Sequence, residues 1–347
     1  MVKENVKEYY GKILQGSNDL KTNACCTGES FPPELKKILK EIDDEIVMKF
    51  YGCGSPIPEV LEGKTVLDLG CGSGRDVYLL SKLVGSCGSV IGVDMTEEQL
   101  AVARRHQDSM AKKFCFEEPN TDFRKGYIED LKAMKIADNS VDVVVSNCVI
   151  NLSPDKKSVF SEIFRVLKSG GELYFSDVFS GRRIPEGLRE DPVLHGECLG
   201  GALYMEDFRR MMLEIGFPEF RLTEQRRITV DNAEVEMKIG MVDFYSMTVR
   251  AFKLDEQEDV AEDYGQIAIY KGTIPGHPHF FKFDVEHTFL TGKPTTVCGN
   301  SALMLQNTRF AEHFTVSGDR STHFGPFDAS AQPLQTNSLA EESSGCC

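Results

Sequence analysis

Apolar residues between positions 64 and 178 fall into short runs that alternate with stretches of helical periodicity. Positions 96–113 and 158–168 repeat apolar residues at the spacing of an amphipathic helix, with Thr96 as the expected N-cap of the first and Gly170-Gly171 as the stop of the second. Strands that alternate with helices predict a mostly parallel sheet with helices on both faces. The runs that predict strands are 65–69, 89–93, 141–146 and 172–176.

The pattern changes on both sides of this region. Positions 2–15 and 33–51 have helical spacing, and after Asp177 a helix at 205–215 is followed by strands at 220–230 and 244–252. The acidic run at 255–262 predicts a solvated linker, and residues 264–315 predict a small β-rich region. The polar segment from Ser317 predicts a disordered tail. The predicted parts are an N-terminal helical segment (1–63), a main α/β domain (64–254), a small C-terminal domain (255–316) and the tail (317–347).

Composition narrows the possible functions. The 347 residues carry a formal net charge of −15, which opposes binding to nucleic acid or to an acidic membrane surface. The N-terminus lacks the apolar core of a signal peptide. The chain has 11 cysteines, an odd number without the spacing of a disulfide scaffold, which favours reduced thiols and a cytosolic location.

A glycine-rich loop follows the first predicted strand and opens a helix. Glycines at such a turn let the backbone approach a ligand closely. A dinucleotide fingerprint would place glycine where this chain has Arg75, and Asp68 lies inside the strand, where a carboxylate is a poor neighbour for a pyrophosphate. The acid suits a ligand that carries an ammonium group and no phosphate. Asp94 ends the second strand, where a carboxylate can accept both hydroxyls of a ribose.

Residues 64–178 resemble the class I S-adenosylmethionine-dependent methyltransferases. The resemblance lies in Asp68-x-Gly70-x-Gly72-x-Gly74, in Asp94-Met95, and in Val141-Asp142-Val143 at the fourth strand. It implies an α/β, Rossmann-like domain with a mostly parallel sheet, flanked here by the helical N-terminal segment and a small α+β C-terminal domain. It also implies S-adenosylmethionine as cofactor. The residues placed at the cofactor are Asp68, Gly70, Gly72, Gly74, Arg75, Asp94, Met95, Ile128, Glu129 and Asn147.

Three cysteines lie where a ligand of this sheet would bind. Cys148 follows the fourth strand, and the carboxyl ends of parallel strands form the ligand-binding edge. Cys53 and Cys198 lie among glycines in loops that can overhang that edge. Structural zinc takes four ligands with short paired spacings, and no Cys-x-x-Cys occurs in this chain. A soft trivalent ion with a lone pair needs only three thiolates, and arsenic(III) is such an ion.

The segments around these cysteines resemble the arsenite methyltransferases, over nearly the whole chain. The resemblance implies that Cys53, Cys148 and Cys198 bind arsenic and that Cys25 exchanges disulfides with them during turnover. Cys26 is adjacent, so the redox thiol is one of this pair, with Thr-Asn before Cys25 favouring Cys25. The matching segments are Tyr9-Tyr10-Gly11, 19–25, 51–54, 146–152, 170–177 and 196–204.

The resemblance implies transfer of methyl from S-adenosylmethionine to arsenite and then to monomethylated arsenic, in arsenic metabolism and detoxification. Tyr51 would touch the cofactor, glutathione or thioredoxin would be the thiol reductant, and the protein would act as a monomer. The cysteines at 346–347 either capture arsenic or have no role. Two alternatives remain open: a small-molecule C- or O-methyltransferase, and a non-catalytic thiol protein that binds metalloids.

Overall fold

The computed structural model of the protein describes residues 32–49, 56–189, 191, 194, 198–229 and 233–328. Several residues named above lie outside these ranges, namely the 2–15 segment, Tyr51, the cysteines at 25, 26 and 53, and those at 346–347. Among the described residues, no helix is both long and apolar enough to cross a membrane.

A central sheet of eight strands forms the main domain, with the order β3-β2-β1-β4-β5-β8-β7 and β6 paired to β5. Strands β1 to β5 are parallel, whereas β8 runs antiparallel to both of its neighbours. The strand order reverses between β1 and β4, so their carboxyl ends open a crevice. The strands are β1 (Thr65–Leu69), β2 (Ser89–Asp94), β3 (Thr121–Lys125), β4 (Val141–Asn147), β5 (Leu167–Ser180), β6 (Leu203–Tyr204), β7 (Arg221–Arg227) and β8 (Phe244–Phe252).

Helices cover both faces of this sheet. Alternating strand residues divide the apolar side chains between two cores, with Val143 and Val145 on one face and Val144 on the other. The helices are α1 (Pro33–Glu41), α2 (Asp44–Met48), α3 (Arg75–Val84), α4 (Glu97–Arg105), α5 (Gln107–Lys113), α6 (Lys156–Val166), α7 (Glu186–Arg189), α8 (Met205–Ile215), α9 (Ala233–Ile239) and α10 (Gly299–Gln306).

Two predicted helices are each divided in the structure. The 33–51 stretch breaks where the Asp43 carboxylate caps α2 by accepting the Glu45 N–H. The 96–113 stretch breaks at His106, whose ring contacts Glu45 at 2.9 Å. Thr96 occupies the N-cap position, but its side chain makes no capping hydrogen bond. Its own N–H donates to the Asp94 carboxylate, which ties α4 to the end of β2.

The sequence predicts that the glycine pair at 170–171 separates a helix from a strand. In the structure the pair lies within a strand instead. Helix α6 ends at Val166, and β5 begins at Leu167 and continues through both glycines. Leu167 of β5 pairs with Val141 of β4, and the next pair is Glu172 with Val143. Strand β5 therefore has more residues than β4 between these two pairs. The glycines therefore lie in a bulge, and Gly170 adopts a φ of +77° there.

The C-terminal region packs around an aromatic core beside β8. Strand β10 is central between β13 and β14, and β11 pairs with β12. Its strands are β9 (Glu262–Asp263), β10 (Gln266–Tyr270), β11 (Phe280–Lys282), β12 (Thr288–Leu290), β13 (Pro294–Val297), β14 (Phe314–Ser317) and β15 (Gly325–Pro326).

The packed C-terminal region extends beyond residue 317, where the sequence predicts that a disordered tail begins. Strand β15 pairs with β9, so residues up to at least 326 belong to the packed C-terminal region. The acidic run at 255–262 is not a free linker either. The Glu258 backbone exchanges two hydrogen bonds with the Asn300 side chain, and its carboxylate pairs with Arg320.

A buried cluster of charges joins the main sheet to the C-terminal region. Glu172 of β5 is fully buried and accepts a hydrogen bond from Arg250 Nε of β8 at 2.7 Å, while Arg309 pairs with its other oxygen. Arg250 also donates to the Phe283 carbonyl oxygen and lies over the Phe283 ring. One buried guanidinium therefore holds both parts of the chain.

Arg250→Met should lower the free energy of unfolding by about 3–5 kcal/mol, because it leaves Glu172 with an incompletely compensated buried charge. Urea denaturation measures the loss. The matched control is Lys157→Met, which removes an exposed partner of Glu214 and should change stability by about 1 kcal/mol or less. A loss below about 1 kcal/mol in Arg250→Met would show that this cluster does not join the two parts.

Candidate functional site

The glycine loop lies at the carboxyl end of β1. Gly70 has a φ of +74°, and a Cβ atom added there would lie 2.3 Å from a methyl group of Val149. This position therefore accepts only glycine, for steric as well as conformational reasons. The contact presses the loop against the segment that follows β4, where Cys148 lies.

Gly72 and Asp94 form an open corner of this loop. Gly72 has a φ of +53°, and an added Cβ would meet nothing within 4 Å, so its face borders free space. Its N–H donates to Asp94 Oδ2 at 2.9 Å, and the Thr96 N–H donates to Oδ1 at 2.8 Å. Desolvation raises the pKa of Asp94, and these N–H donors oppose the rise. Each oxygen retains acceptor capacity for a ligand hydroxyl. This corner can therefore accept a pair of ligand hydroxyls.

A buried acid that sequence reasoning missed joins two predicted cofactor residues. Asp76, at the start of α3, accepts hydrogen bonds from Arg75 Nε at 2.8 Å and from Asn147 Nδ2 at 3.2 Å. The predicted Asp68 is buried nearby in β1, and burial, with the charges of Asp76 and Asp94, raises its pKa well above the usual range. The Arg75 guanidinium pairs with Asp76 and balances its charge, so Asp68 and Asp94 are the acids that suit a cationic ligand at this loop.

The segment after β3 reaches the same edge. The Gly126 N–H donates to the Asp94 carbonyl oxygen at 2.9 Å, which brings 126–129 beside the end of β2. Ile128 is buried, and Glu129 accepts the Ser153 hydroxyl at 2.6 Å. Met95 follows Asp94 directly and is half-buried. The described residues predicted at the cofactor thus gather at one edge of the sheet; Tyr51 lies outside the described ranges.

Cys148 and Cys198 meet at this edge. The ligand atoms of Cys148, Asp177 and Cys198 all lie within 4.8 Å of one another, and all three residues are buried. The Cys198 thiol donates to the Cys148 carbonyl oxygen at 3.4 Å. Both cysteines have a left-handed backbone, with φ of +54° and +62°. Such conformations cost about 1–3 kcal/mol each and cluster at functional sites.

A glycine contact holds the Cys198 loop in place. A Cβ atom added at Gly201 would lie 2.0 Å from the carbonyl oxygen of Asn151, in the 3₁₀ turn Ile150–Leu152 that follows Cys148. The Cys148 N–H donates to the Ser176 carbonyl oxygen of β5. Close contact between the two loops therefore sets how near the two sulfurs lie. The Gly200-Gly201 pair was visible in the sequence, but its contact with Asn151 was not.

The cysteines differ in chemical state and surroundings. Cys148 is disulfide-bonded, and the other described cysteines are free, so its partner lies outside the described residues. Cys71 is buried in the glycine loop, where burial and the nearby acids raise its thiol pKa well above the usual range. Cys87 and Cys115 are exposed, and Cys298 is buried in the C-terminal region. Of the three thiols expected to bind arsenic, the structure brings two together; Cys53 lies outside the described residues.

Asp177 is a site residue that the sequence analysis quoted without assigning it a role. It lies in β5 near the carboxyl end and is almost fully buried. Burial raises its pKa to about 7, against the effect of N–H donors from Val178 and Asn151. Its position after a predicted strand was a signal that sequence reasoning did not use.

A lysine contributes the opposite charge. Lys156, the first residue of α6, donates from Nζ to the carbonyl oxygens of Asn151 and Ser153 at 3.2 and 2.9 Å. Burial lowers its pKa to about 8, while the charges of Asp177, Cys198 and Glu129 favour the ammonium form. A cation near thiols favours thiolates, which are the form that binds soft ions.

Two family models match parts of this chain. Residues 61–216 match the family model of a methyltransferase domain, and 263–347 match that of the arsenite methyltransferase C-terminal domain. An arsenite methyltransferase of Aquipseudomonas alcaligenes is 52% identical over 346 residues, covering 99% of each chain. The human arsenite methyltransferase is 44% identical, covering 91% of this chain and 84% of the human one.

A solved structure has the same architecture. The crystal structure of CrArsM, an arsenic(III) S-adenosylmethionine methyltransferase from Chlamydomonas reinhardtii, matches with a TM-score of 0.83 and 51% identity, over 86% of this chain and 99% of that one. The match confirms the predicted class I methyltransferase fold and its S-adenosylmethionine cofactor. With relatives of this identity along nearly its whole length, the chain belongs to the arsenite methyltransferase family.

Proposed function

We propose that this protein transfers the methyl group of S-adenosylmethionine to arsenic(III) held by its thiolates. The observation that carries the proposal is the meeting of the Cys148 and Cys198 sulfurs within 4.8 Å, at the end of the strand whose last residue is Asn147. Asn147 contacts Asp76 beneath the glycine loop, so the thiol pair and the cofactor corner share one edge of the sheet.

The chemistry assigns distinct tasks to the two halves of the site. S-adenosylmethionine supplies an electron-poor methyl group on a sulfonium. The thiolates bind arsenic while leaving its lone pair free to attack that methyl, so this step needs no general base. The protein contributes proximity, which can lower the barrier by several kcal/mol. Buried, closely spaced thiols also select a soft ion over a hard one.

The family resemblance implies the roles of the cofactor residues, and those that the structure describes lie at this edge of the sheet. Asp94 accepts the ribose hydroxyls, and the loop of Gly70, Gly72 and Gly74 borders the methionine portion. Asp68 is the carboxyl group that faces the ammonium of the cofactor, whose positive charge favours the ionised form of this acid. Met95, Ile128 and Glu129 flank the adenine, Arg75 and Asn147 are positioned through Asp76, and Tyr51 completes the site from the N-terminal segment.

Thiol redox chemistry completes the proposed cycle. Methyl transfer formally oxidises arsenic, so a thiol reductant such as glutathione or the thioredoxin system must return two electrons. Cys148 is disulfide-bonded in the structure, which supports a cycle in which its thiol is freed by reduction before arsenic binds. Cys25, or its neighbour Cys26, is the proposed exchanging thiol. The need for reduced thiols also supports a cytosolic site of action, and we propose a monomer because one chain supplies every assigned residue.

Cys53→Ser should abolish methylation of inorganic arsenite but retain part of the activity on monomethylated arsenic(III). Arsenite has three exchangeable positions and needs three thiols, whereas the monomethyl species has two. Cys148→Ser and Cys198→Ser should abolish both activities, because these residues meet beside the cofactor edge. Arsenic speciation with each substrate, S-adenosylmethionine and a thiol reductant measures the outcome, with the exposed Cys87→Ser as matched control.

Equal loss of both activities in Cys53→Ser, or retained activity in Cys148→Ser, would contradict this division of the thiols. Silent substitutions at all three positions, with methyl transfer to an organic acceptor, would instead indicate a C- or O-methyltransferase. A wild-type protein that binds arsenite but forms no methylated product would indicate a thiol protein that only binds metalloids.

Gly201→Ala should weaken arsenite binding at least tenfold while leaving S-adenosylmethionine affinity within about threefold. The new methyl group has no room 2.0 Å from the Asn151 oxygen, so the Cys198 loop must move away from Cys148. Arsenite binding is measured by equilibrium dialysis, and cofactor binding by calorimetry. Gly187→Ala is the control, since an added Cβ there meets nothing within 4 Å. Unchanged arsenite affinity in Gly201→Ala would show that this contact does not set the thiol geometry.

A further inference from the structure

Hydrogen bonds fix both carboxylate oxygens of Asp177. Its Oδ1 accepts the Val178 N–H at 2.8 Å and the Asn151 Nδ2–H at 2.7 Å, and its Oδ2 accepts the Asn151 N–H at 3.0 Å. Three donors from two segments thus fix both oxygens. All three favour the carboxylate over the protonated acid.

This oriented carboxylate lies beside both sulfurs. Its nearest oxygen is within 4.8 Å of the ligand atoms of Cys148 and Cys198. A buried negative charge beside two thiolates is unfavourable by itself, because like charges in a poorly solvated site repel one another. The Lys156 ammonium, anchored on the 151 and 153 carbonyl oxygens, offsets part of this repulsion. The arrangement makes physical sense if positive charge forms between the carboxylate and the thiolates.

Methyl transfer creates such a charge. The methyl carbon–sulfur bond breaks and its electron pair stays on the sulfur, which becomes a neutral thioether in S-adenosylhomocysteine. The arsenic lone pair becomes the new arsenic–carbon bond. Three thiolates make bound arsenic(III) neutral, so arsenic carries a formal charge of +1 after the transfer. No proton moves in this step, and the net charge of the reacting groups is unchanged.

We propose that Asp177 is a catalytic residue that stabilises the positive charge formed on arsenic during methyl transfer. The inference rests on the proposed function and deepens it. A charge fixed in advance at the point where opposite charge develops needs no reorganisation, and burial increases its effect. Asp177 lies beside the two sulfurs rather than at the cofactor corner, so it acts on the acceptor side of the reaction. The same need arises at each successive methylation.

The test is Asp177→Asn, which keeps the size of the side chain and one oxygen for the Val178 N–H and Asn151 Nδ2–H donors, removes the charge, and leaves the Asn151 N–H without its present acceptor. At saturating arsenite and S-adenosylmethionine, the single-turnover rate of methyl transfer should fall about 100- to 1,000-fold. The affinities for both substrates should stay within about threefold, because the charge forms only during the reaction. Asp142→Asn is the matched control: this acid also accepts a backbone N–H, but at the start of β4.

A second variant separates the charge from the local structure. Asp177→Glu keeps a carboxylate in the site, and at saturating substrates it should transfer methyl at least tenfold faster than Asp177→Asn. The role of Asp177 is overturned if Asp177→Asn transfers methyl within threefold of the wild-type rate, or if Asp177→Glu binds both substrates and is no faster than Asp177→Asn. Wild-type protein that forms no methylated arsenic would overturn the proposed function instead.

Discussion

The site depends on one close contact, between the Gly201 backbone and the carbonyl oxygen of Asn151. Because no side chain fits between them, the loop that carries Cys198 lies directly on the turn that follows Cys148. Both cysteines have a left-handed backbone conformation. For a residue with a side chain, this conformation costs about 1–2 kcal/mol. Packing of the surrounding apolar residues of the 178–244 region offsets this cost. Sulfur proximity is therefore built into the fold rather than left to the substrate.

The carboxyl edge of the sheet is divided by charge. Asp68 and Asp94 lie beneath and beside the glycine loop, where they suit a cofactor with an ammonium and a sulfonium. On the other side of Asn147 lie the two sulfurs, with Asp177 of β5 and Lys156 of α6 both hydrogen-bonded to Asn151 in the turn that follows Cys148. In the proposed reaction, positive charge is lost on the cofactor side and forms on the acceptor side, where Asp177 lies.

Much of the fold followed from periodicity, because the buried strands and amphipathic helices of an α/β domain have distinct spacing. The strands at 65–69 and 244–252 agree with the prediction to the residue. Errors occurred where tertiary contacts override local signals: the His106–Glu45 contact divides a helix, and a bulge carries β5 through two glycines. The extension of order past 317 depends on the pairing of β15 with β9, which is distant in sequence.

The residues of the site were predicted less completely than the helices and strands of the fold. Glycines and acids in a loop after a strand indicate a cofactor site locally, so Asp68 and Asp94 could be assigned to it from the sequence, and both lie at the carboxyl edge of the sheet. Asp76 and Lys156 were missed because an ordinary helical position gives no sign that its side chain turns into a site. Asp177 was within a quoted segment, but its partnership with Cys198 joins residues far apart in the chain, through a loop whose path only the structure shows. Cys53 and Cys25 remain predictions from the family resemblance.

The central claim is that arsenic binds to sulfur atoms of Cys53, Cys148 and Cys198 at once. X-ray absorption at the arsenic edge, on reduced protein loaded with one equivalent of arsenite, counts the sulfur neighbours directly. The account predicts three sulfur neighbours in the wild-type protein and two, with a lighter atom in the third position, in Cys198→Ser. Two or fewer sulfur neighbours in the wild type, or a sulfur count that Cys198→Ser leaves unchanged, would contradict it.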